Sequence, residues 1–417
     1  MTESADQPIC IGFLFNHEAA HQVPHIAPVI AAFRQHYPHV QVVALVSSDE
    51  QRVTVEAIVQ RLSGDGFACV RLRTPDYLSR LFSLTNTIVP LQRLYLLRKF
   101  RSLFQRFDCL IVPEMTSARL KSRLGTATTA LVLLPHGAGD RAVGFCKEIK
   151  EYDFVLLSGA KVRDRMLAAG LITAGNHRVV GYPKFDGVAL DSRTGLFDND
   201  RPTVLYNPHF DPHLSSWYDM GAEVCAYFAD NGHYNLMVAP HVMLFKRRLH
   251  ISLESNSMRV ARRMAERYKK CANIKFDPGS SSSIDMRYTL NSDIYLGDVS
   301  SQVYEFLQRP RPCIFFNSHN AEWRHDENYG HWHFGPVLQS VAALGATLAT
   351  IEESHGHFIE AQRRAFAETF DLSEVPSSVR AARAVIEFLA SRGQRAPVNA
   401  TDAAAIRHSD AAVLKRA

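Results

Sequence analysis

The sequence predicts an α/β fold with two doubly wound, Rossmann-like domains in tandem. Short runs rich in Val, Ile, Leu and Phe recur along the chain, and segments with helical periodicity separate most of them. A strand whose sheet is covered on both faces needs no polar residues at alternate positions. These runs therefore indicate parallel sheets between layers of helices. A polar segment after Asp186 divides the series and marks a boundary between two cores.

The order of the runs defines the predicted elements. An N-terminal domain spans 1–190, with strands predicted at 8–15, 40–46, 67–71, 108–112, 130–134, 153–157 and 178–181. After a linker at 191–200, a C-terminal domain spans 201–393, with strands predicted at 202–206, 235–239, 273–276, 293–296 and 312–316. Helices are predicted at 217–231, 258–270, 300–309 and 377–392. The tail at 394–417 has little to bury, and we expect it to be disordered.

Composition and charge narrow the possible partners. The chain has 417 residues, of which 46% are hydrophobic and 21% charged, and its net charge is +5. This mild excess suits an anionic small ligand or a membrane surface better than a nucleic acid. Seven cysteines without a CxxC pair predict reduced thiols. An acidic start and the absence of a long apolar stretch predict a cytoplasmic protein without a spanning helix.

The most informative segment is DIYLGDVSSQVYEFLQR at 293–309, in which a strand, a tight turn and a helix follow in order. Ser300 and Ser301 lie at the predicted N-cap, where hydroxyls and free N–H groups can hold phosphate oxygens. Asp298 precedes them, and Glu305, about one turn into the helix, could reach a ribose diol. A purely structural interpretation stays open, in which Ser300 caps the helix and Glu305 is a solvated residue.

A second candidate is LVLLPHGAGDRAVGF at 131–145, where His136 lies at the carboxyl end of a predicted buried strand. Gly137 and Gly139 follow and would let a substrate approach the backbone closely. A neutral imidazole there could remove a proton from an attacking hydroxyl. The alternative is a histidine that only hydrogen-bonds within its turn.

Several further polar residues follow predicted strands. Lys184 lies in VVGYPKFD, His209 and His213 in LYNPHFDPH, and His241 in MVAPHVMLFKRR. These side chains could form a cationic or hydrogen-bonding shell for a diphosphate, or they could belong to solvated turns.

Three histidines with spacings of four follow the first predicted strand. In FNHEAAHQVPH, His17, His21 and His25 would share one helical face, where imidazoles can bind a metal. His17, Glu18 and His21 match the HExxH spacing of zinc proteases, but so short a motif often occurs without any function. We predict no metal, no certain cofactor, and an acceptor-side role for His17.

The stretch at 71–106 is basic and amphipathic. Its charged residues are Asp76 and Arg71, Arg73, Arg80, Arg93, Arg98, Lys99, Arg101 and Arg106. It could lie at the surface of an anionic bilayer, as a peripheral contact at the inner face of the membrane. Helices with a basic outer face packed on a core are the alternative.

Six motifs together, in order and spacing over about residues 108–320, resemble the CDP-glycerol glycerophosphotransferase family of teichoic-acid-type polymerases and primases. They are HG at 136–137, GYPKFD at 181–186, LYNPHF at 205–210, APH at 239–241, GDVSSQVYEF at 297–306 and RPCIFF at 311–316. The resemblance implies a GT-B fold, in which two Rossmann-like domains face one cleft. It implies transfer of glycerol phosphate from CDP-glycerol to a hydroxyl of a glycan or lipid-linked acceptor, with release of CMP.

The resemblance also implies site residues. His136 would be the base or orient the acceptor, and His241, Asp298, Ser300 and Ser301 would hold the donor diphosphate. Lys184, His209 and Glu305 would complete the donor side, with the N-terminal domain on the acceptor side. His136 and Ser300 follow strands of different predicted domains, so we expect closure to bring them together.

The sequence departs from the family pattern at three of these positions. Lys184 stands where the family often has Arg, His209 lies in Pro-His-Phe where Pro-Thr-Trp is frequent, and Glu305 replaces a frequent Asp. Two other hypotheses therefore stay open. One is a GT-B glycosyltransferase or epimerase that uses a UDP- or CMP-linked sugar, and the other is a non-catalytic nucleotide-binding protein of the same fold.

Overall fold

Two parallel sheets, of seven and six strands, form the frame of the residues that this computed structural model describes. Those residues are 8–17, 20–64, 66–75, 77–78, 82, 91–125, 128–188, 190, 194–252 and 255–393. The α/β architecture with two doubly wound sheets confirms the predicted fold class.

The first sheet has the order β3-β2-β1-β4-β5-β6-β7, and all of its strands are parallel. Its strands are β1 Cys10–Phe15, β2 Gln41–Val46, β3 Ala68–Arg71, β4 Cys109–Val112, β5 Ala130–Leu133, β6 Phe154–Leu157 and β7 His177–Val179. The strand order reverses between β1 and β4, and ligands of such sheets bind at the carboxyl ends beside this point.

The second sheet has the order β12-β9-β8-β13-β14-β15 and reverses between β8 and β13. Its strands are β8 Thr203–Asn207, β9 Asn235–Val238, β12 Ile274–Phe276, β13 Ile294–Gly297, β14 Cys313–Phe316 and β15 Val337–Leu338. A separate antiparallel hairpin consists of β10 Leu249–Ser252 and β11 Ser257–Val260. Each of the twelve strands expected from the apolar runs is present. The central strands are buried on both faces, whereas the edge strands β3, β7 and β12 are partly exposed.

Helices cover these sheets. The α-helices are Val23–His36, Asp49–Ser63, Leu91–Lys99, Arg101–Phe104, Arg119–Ser122, Ala160–Ala168, Trp217–Asp230, Glu266–Lys269, Arg287–Asn291, Gln302–Phe306, Leu344–Ala349, Ile351–His355, Ile359–Thr369 and Ser377–Ser391. None of the helices within the described ranges is long and apolar enough to cross a bilayer.

The helix predicted at 258–270 is wrong over most of its length. Residues 257–260 form β11, and only Glu266–Lys269 is helical. Ala261, Met264 and Tyr268 have helical spacing and are all buried, but Ala261 and Met264 lie in an irregular segment and only Tyr268 lies in the short helix. Pairing with β10 satisfies the backbone of the preceding residues as a strand.

The chain divides into two compact units near the predicted boundary, with two differences from the predicted domains. Of the described residues, those within 8–137, 145–187 and 369–393 form the first unit, and those within 138–144 and 188–368 form the second. Helix Ser377–Ser391 therefore belongs to the first unit, where Phe388 stacks on Phe154 with ring centroids 4.6 Å apart. Residues 191–193 of the predicted linker and the predicted disordered tail lie outside the described residues.

Much of the basic stretch at 71–106 also lies outside the described residues, namely 76, 79–81 and 83–90. The described part contains helices Leu91–Lys99 and Arg101–Phe104, which bury Leu96, Leu97 and Phe104. Membrane contact through this stretch stays a prediction.

The GYPKFD motif holds the start of helix Ser377–Ser391. The Asp186 carboxylate accepts hydrogen bonds from the N–H groups of Ser377 and Ser378, at 3.2 and 2.6 Å. Gly181 has a φ of +85°, and a Cβ there would overlap the Ser377 hydroxyl and lie 2.7 Å from the Asp371 carbonyl oxygen. Glycine is thus required at position 181 by both conformation and space.

We expect Gly181→Ala to lower the free energy of unfolding by about 2–4 kcal/mol, from left-handed strain of about 1–2 kcal/mol plus steric overlap. Gly170→Ala is the matched control, because Gly170 has a φ of +59° and nothing within 4 Å of an added Cβ. Urea unfolding of both variants measures the difference. Equal losses would show that the contact with Ser377 has no energetic role.

Candidate active site

The second unit carries a cluster of polar residues at the carboxyl edge of its sheet. Asn207 is the last residue of β8, the loop after it supplies His209, and the turn after β13 supplies Asp298. Because β8 and β13 are neighbours at the point where the strand order reverses, the two loops lie side by side.

Asp298 organises these two loops. Its buried carboxylate accepts hydrogen bonds from the N–H of His209 at 2.8 Å, the N–H and Oγ of Ser216 at 2.7 and 2.8 Å, and the N–H of Val299 at 2.6 Å. Burial raises the pKa of Asp298, and the hydrogen bonds from Ser216 and His209 oppose that effect. Both carboxylate oxygens are occupied by protein donors, so its position fits a residue that positions the loops.

Ser300 and Ser301 lie in the turn that precedes helix Gln302–Phe306. Ser300 is buried and accepts a hydrogen bond from the N–H of Gln302 at 3.3 Å, whereas Ser301 is exposed at the N-cap. No hydrogen bond from the N–H of either serine is found within the described residues. The helix has five residues, so any anion binding here depends on these N–H groups more than on a helix dipole.

Residues 138–144, which follow His136 and Gly137 in sequence, pack on this turn as part of the second unit. A Cβ at Gly139 would lie 3.0 Å from the Ser301 Cβ, so glycine permits the close approach. Asp140 accepts hydrogen bonds from the Tyr304 hydroxyl and from the N–H and Nδ1 of His331.

His331 connects Asp140 to the turn. Its Nδ1 is 2.8 Å from the Asp140 carboxylate and its Nε2 is 3.1 Å from the Asp298 carbonyl oxygen. The Trp332 indole N–H donates to the same carbonyl at 2.7 Å. Both nitrogens of His331 face acceptors. The buried ring therefore connects the Asp140 carboxylate to the main chain of the turn.

His209 and His241 lie beside each other and share one tautomer. Their ring centroids are 5.4 Å apart, and Phe210 contacts both rings. The Nδ1 of His209 accepts from the N–H of Asp211 at 3.1 Å, and that of His241 accepts from the N–H of Met243 at 3.2 Å. In a neutral ring the proton is then on Nε2, so each ring is a hydrogen-bond donor there.

Burial and neighbouring charges lower the pKa of two histidines in this part of the site. Burial holds the pKa of His209 well below its usual range, and His241 and Arg141 lower it further. Burial, with His213 and Arg141, lowers the pKa of His319 to about 4. Arg141 therefore lies within electrostatic range of two imidazoles and is a cation that the sequence reasoning overlooked.

Glu305 and Arg311 of the family-like motifs are both buried. The Arg311 guanidinium donates to the carbonyl of Thr289 at 2.9 Å and also to those of Ser292 and Phe306, at the ends of two short helices. Arg311 therefore has a structural role. The predicted contact of Glu305 with a ribose stays a prediction.

The first unit places His136 after β5, and its backbone partner selects the opposite tautomer. Nδ1 of His136 is 2.7 Å from the carbonyl oxygen of Pro113, which can only accept, so Nδ1 carries the proton. Nε2 therefore holds a lone pair, 3.3 Å from the Gln22 amide nitrogen. The pKa of His136 is lowered, mainly by burial, while the Pro113 hydrogen bond and Glu114 oppose the shift.

The three N-terminal histidines join His136 in one cluster. Centroid distances are 4.8 Å for His17 and His21, 5.6 Å for His21 and His136, and 6.2 Å for His25 and His136. They do not share a helical face as predicted, because the α-helix begins only at Val23, after a 3-10 turn. The described residues contain no group of three or more His, Cys, Asp or Glu arranged to hold a metal.

Lys184 is buried in the first unit, where its charge, after burial, helps to hold the pKa of His25 well below its usual range. It is thus grouped with the His136 cluster and not with His209, His241, Ser300 and Ser301 of the second unit. The roles assigned to all of these residues stay predictions. The sequence reasoning did not name Asp140, Arg141 or His331 as site residues. The position of Asp140 and Arg141 just after His136 could have indicated those two, but no sequence signal indicated His331.

Comparison with known proteins identifies the fold. No protein-family model matches the sequence, and a search of curated proteins gives no match. Among solved structures, a variant of the wall teichoic acid polymerase TagF soaked with CDPG has a TM-score of 0.60 at 14% identity, over 93% of this chain and 90% of that one. A putative UDP-N-acetylglucosamine 2-epimerase from Listeria monocytogenes has 0.59 at 12%, over 94% and 99%.

S. aureus MnaA in its structure with UDP gives a TM-score of 0.56 at 12% identity, over 93% of this chain and 97% of that one. At such identities the likeness shows the fold alone. The chain therefore has a GT-B-type fold with two Rossmann-like units, each with its own doubly wound sheet.

We expect Asp298→Asn to lower the free energy of unfolding by about 2–4 kcal/mol, because an amide N–H₂ would face a backbone donor in a buried site. Urea unfolding at neutral pH measures the loss. Asp219→Asn is the control, since Asp219 forms only an exposed ion pair with Arg259, and it should cost no more than about 1 kcal/mol. A tolerated Asp298→Asn would show that the loops do not depend on this carboxylate.

Proposed function

We propose that this protein is an enzyme of the GT-B class that acts on a nucleotide-linked donor. Specifically, it would transfer glycerol phosphate from CDP-glycerol to a hydroxyl of a glycan or lipid-linked acceptor and release CMP. The proposal is supported by the motif order in the sequence and by the fold shared with TagF.

The observation that carries the proposal is the pair of opposite histidine tautomers. His136 keeps a lone pair on Nε2 and has a lowered pKa, which are the properties of a general base near neutral pH. His209 and His241 keep a proton on Nε2, which suits hydrogen bonds to phosphate oxygens. A base and a set of neutral donors are what attack on a diphosphate requires.

In the proposed step, the acceptor oxygen attacks the glycerol-bearing phosphorus while its proton passes to Nε2 of His136. A new phosphorus–oxygen bond forms to the acceptor, and the bond from that phosphorus to the bridging oxygen of CMP breaks. CMP leaves with the electron pair, and its charge would be stabilised by the N–H groups at Ser300 and Ser301 and by His209 and His241. Positioning and charge stabilisation would supply most of the acceleration.

A second candidate is a GT-B enzyme for a UDP-linked sugar. The fold is shared equally with a putative UDP-N-acetylglucosamine 2-epimerase, at a TM-score of 0.59. Donors that hold a diphosphate serve either nucleotide, so the base and the transferred group distinguish the two candidates.

We expect His136→Ala to reduce CMP release from CDP-glycerol, measured with a lipid or glycan extract as acceptor, by about 10²–10⁴-fold. In the native enzyme the rate should fall as the pH falls through a midpoint below 6.5, because protonated His136 cannot accept a proton and its pKa is lowered.

His177→Ala is the control for this experiment. His177 is the first residue of β7 and lies at the amino ends of the strands, whereas His136 follows the carboxyl end of β5 in the same sheet. It should leave the rate and the pH profile unchanged. Near-normal CMP release by His136→Ala would exclude His136 as the base, and no release by the native protein would favour a non-catalytic binding protein.

The donor is identified by thermal unfolding in the presence of CDP-glycerol, CDP-ribitol, CMP and UDP-N-acetylglucosamine. We expect CDP-glycerol and CMP to raise Tm, since a ligand at 100 times its Kd adds about 2.7 kcal/mol of stability. His209→Ala should diminish the shift, whereas His357→Ala, at an exposed position of the same unit, should not. A shift given by the UDP-sugar alone would favour the second candidate.

A further inference from the structure

The hairpin of β10 and β11 in the second unit presents an apolar face to solvent. In its register Leu249 lies opposite Val260 and Ile251 opposite Met258, and side chains of opposed residues share one face. Leu249, Met258 and Val260 are 39%, 63% and 47% exposed. A surface of this kind is unusual, because hairpins on soluble proteins normally turn their apolar face to the core.

The other face of the hairpin is polar and faces the protein. His250 and Ser252 are buried, and Nε2 of His250 is 2.9 Å from the Leu244 carbonyl oxygen. Arg259, opposite His250 in the register, is exposed and pairs with Asp219. The hairpin therefore buries His250 and Ser252 while Leu249, Met258 and Val260 are exposed.

Positive charge is concentrated in the part of the sequence that contains the hairpin. Residues 246–275 contain ten Lys and Arg against two Asp and Glu, a net charge of +8. The rest of the chain contains 37 basic and 40 acidic residues, a net charge of −3, so the positive charge of this protein is local. Nine of the ten basic residues are exposed, namely Lys246, Arg248, Arg259, Arg262, Arg263, Arg267, Lys269, Lys270 and Lys275.

We propose that this hairpin docks on an anionic lipid bilayer, with Leu249, Met258 and Val260 entering the interface and the flanking arginines on lipid headgroups. Apolar side chains within a ring of cations are the combination that holds peripheral proteins on acidic membranes. This surface is distinct from the stretch at 71–106.

Charge complementarity selects this occupant over others. A second copy of the chain would bring two surfaces of the same strong charge together, which opposes association. A single-stranded nucleic acid would call for aromatic side chains on which bases stack, and the exposed apolar residues of the hairpin are aliphatic.

The hairpin also contacts the candidate donor site of the same unit. The His250 ring lies 6.2 Å from Phe210, which stacks on His209 at 4.5 Å. Docking would thus hold the His209 region near the lipid surface, where a lipid-linked acceptor would be presented. Only this last consequence rests on the proposed function.

Flotation of the full chain with vesicles tests the docking without any activity measurement. Vesicles of phosphatidylcholine alone are compared with vesicles that contain phosphatidylglycerol, at low and high salt. We expect binding to the anionic vesicles, weakened by salt, and little binding to phosphatidylcholine.

Two double variants separate the contributions. Arg262→Gln with Arg263→Gln should lower the partition coefficient about 25-fold, since each basic residue near the surface contributes about five-fold. Met258→Ser with Val260→Ser should lower it about ten-fold with no change of Tm, because both side chains are exposed. Arg363→Gln with Arg364→Gln, on helix Ile359–Thr369, is the matched control and should bind as the native chain does.

Several outcomes would overturn the proposal. They are no binding to anionic vesicles, equal binding by both hairpin variants and the native chain, or loss of binding only in Arg98→Gln with Lys99→Gln, which would assign the contact to 71–106. Complete displacement from vesicles by a short oligonucleotide that binds the same surface more tightly would assign it to a nucleic acid. Failure of CMP release with intact vesicle binding would reject the proposed activity and leave the docking surface valid.

Discussion

The buried carboxylate of Asp298 is the constraint on which the candidate site of the second unit depends. Its side chain accepts hydrogen bonds from His209, Ser216 and Val299, and its main-chain carbonyl accepts from His331 and Trp332. A buried charge is costly unless donors surround it, and here those donors are the backbones of the site loops. The same hydrogen bonds that stabilise the charge therefore fix the loops after β8 and β13.

Backbone partners also decide what each histidine can do. A carbonyl oxygen beside Nδ1 leaves His136 with a lone pair on Nε2. Backbone N–H groups beside Nδ1 leave His209 and His241 with a proton on Nε2. The local sequence around these histidines does not reveal this difference. The chemical role of an imidazole is set by the atom that its other nitrogen faces.

Two features of the second unit are not explained by the packing of its core. Residues 138–144 join it from the middle of the first unit's sequence and bring Asp140 to His331 and Arg141 near His209. In the hairpin of β10 and β11, the apolar side chains of Leu249, Met258 and Val260 are exposed, whereas His250 and Ser252 are buried. Departures of this kind from the usual burial pattern concentrate where proteins bind other molecules.

The sequence by itself determined twelve of the strands described, because an apolar run that a parallel sheet can bury is visible without any tertiary contact. It also determined that polar residues such as His136 and Ser300 follow strands. Only the tertiary structure decided that β11 is a strand, that helix Ser377–Ser391 belongs to the first unit, and that Lys184 lies beside His25. Each outcome depends on a tertiary contact. β11 is a strand because it pairs with the neighbouring β10, and the start of the helix is held by Asp186, which is distant in sequence. The burial of Lys184 follows from packing that no local pattern predicts.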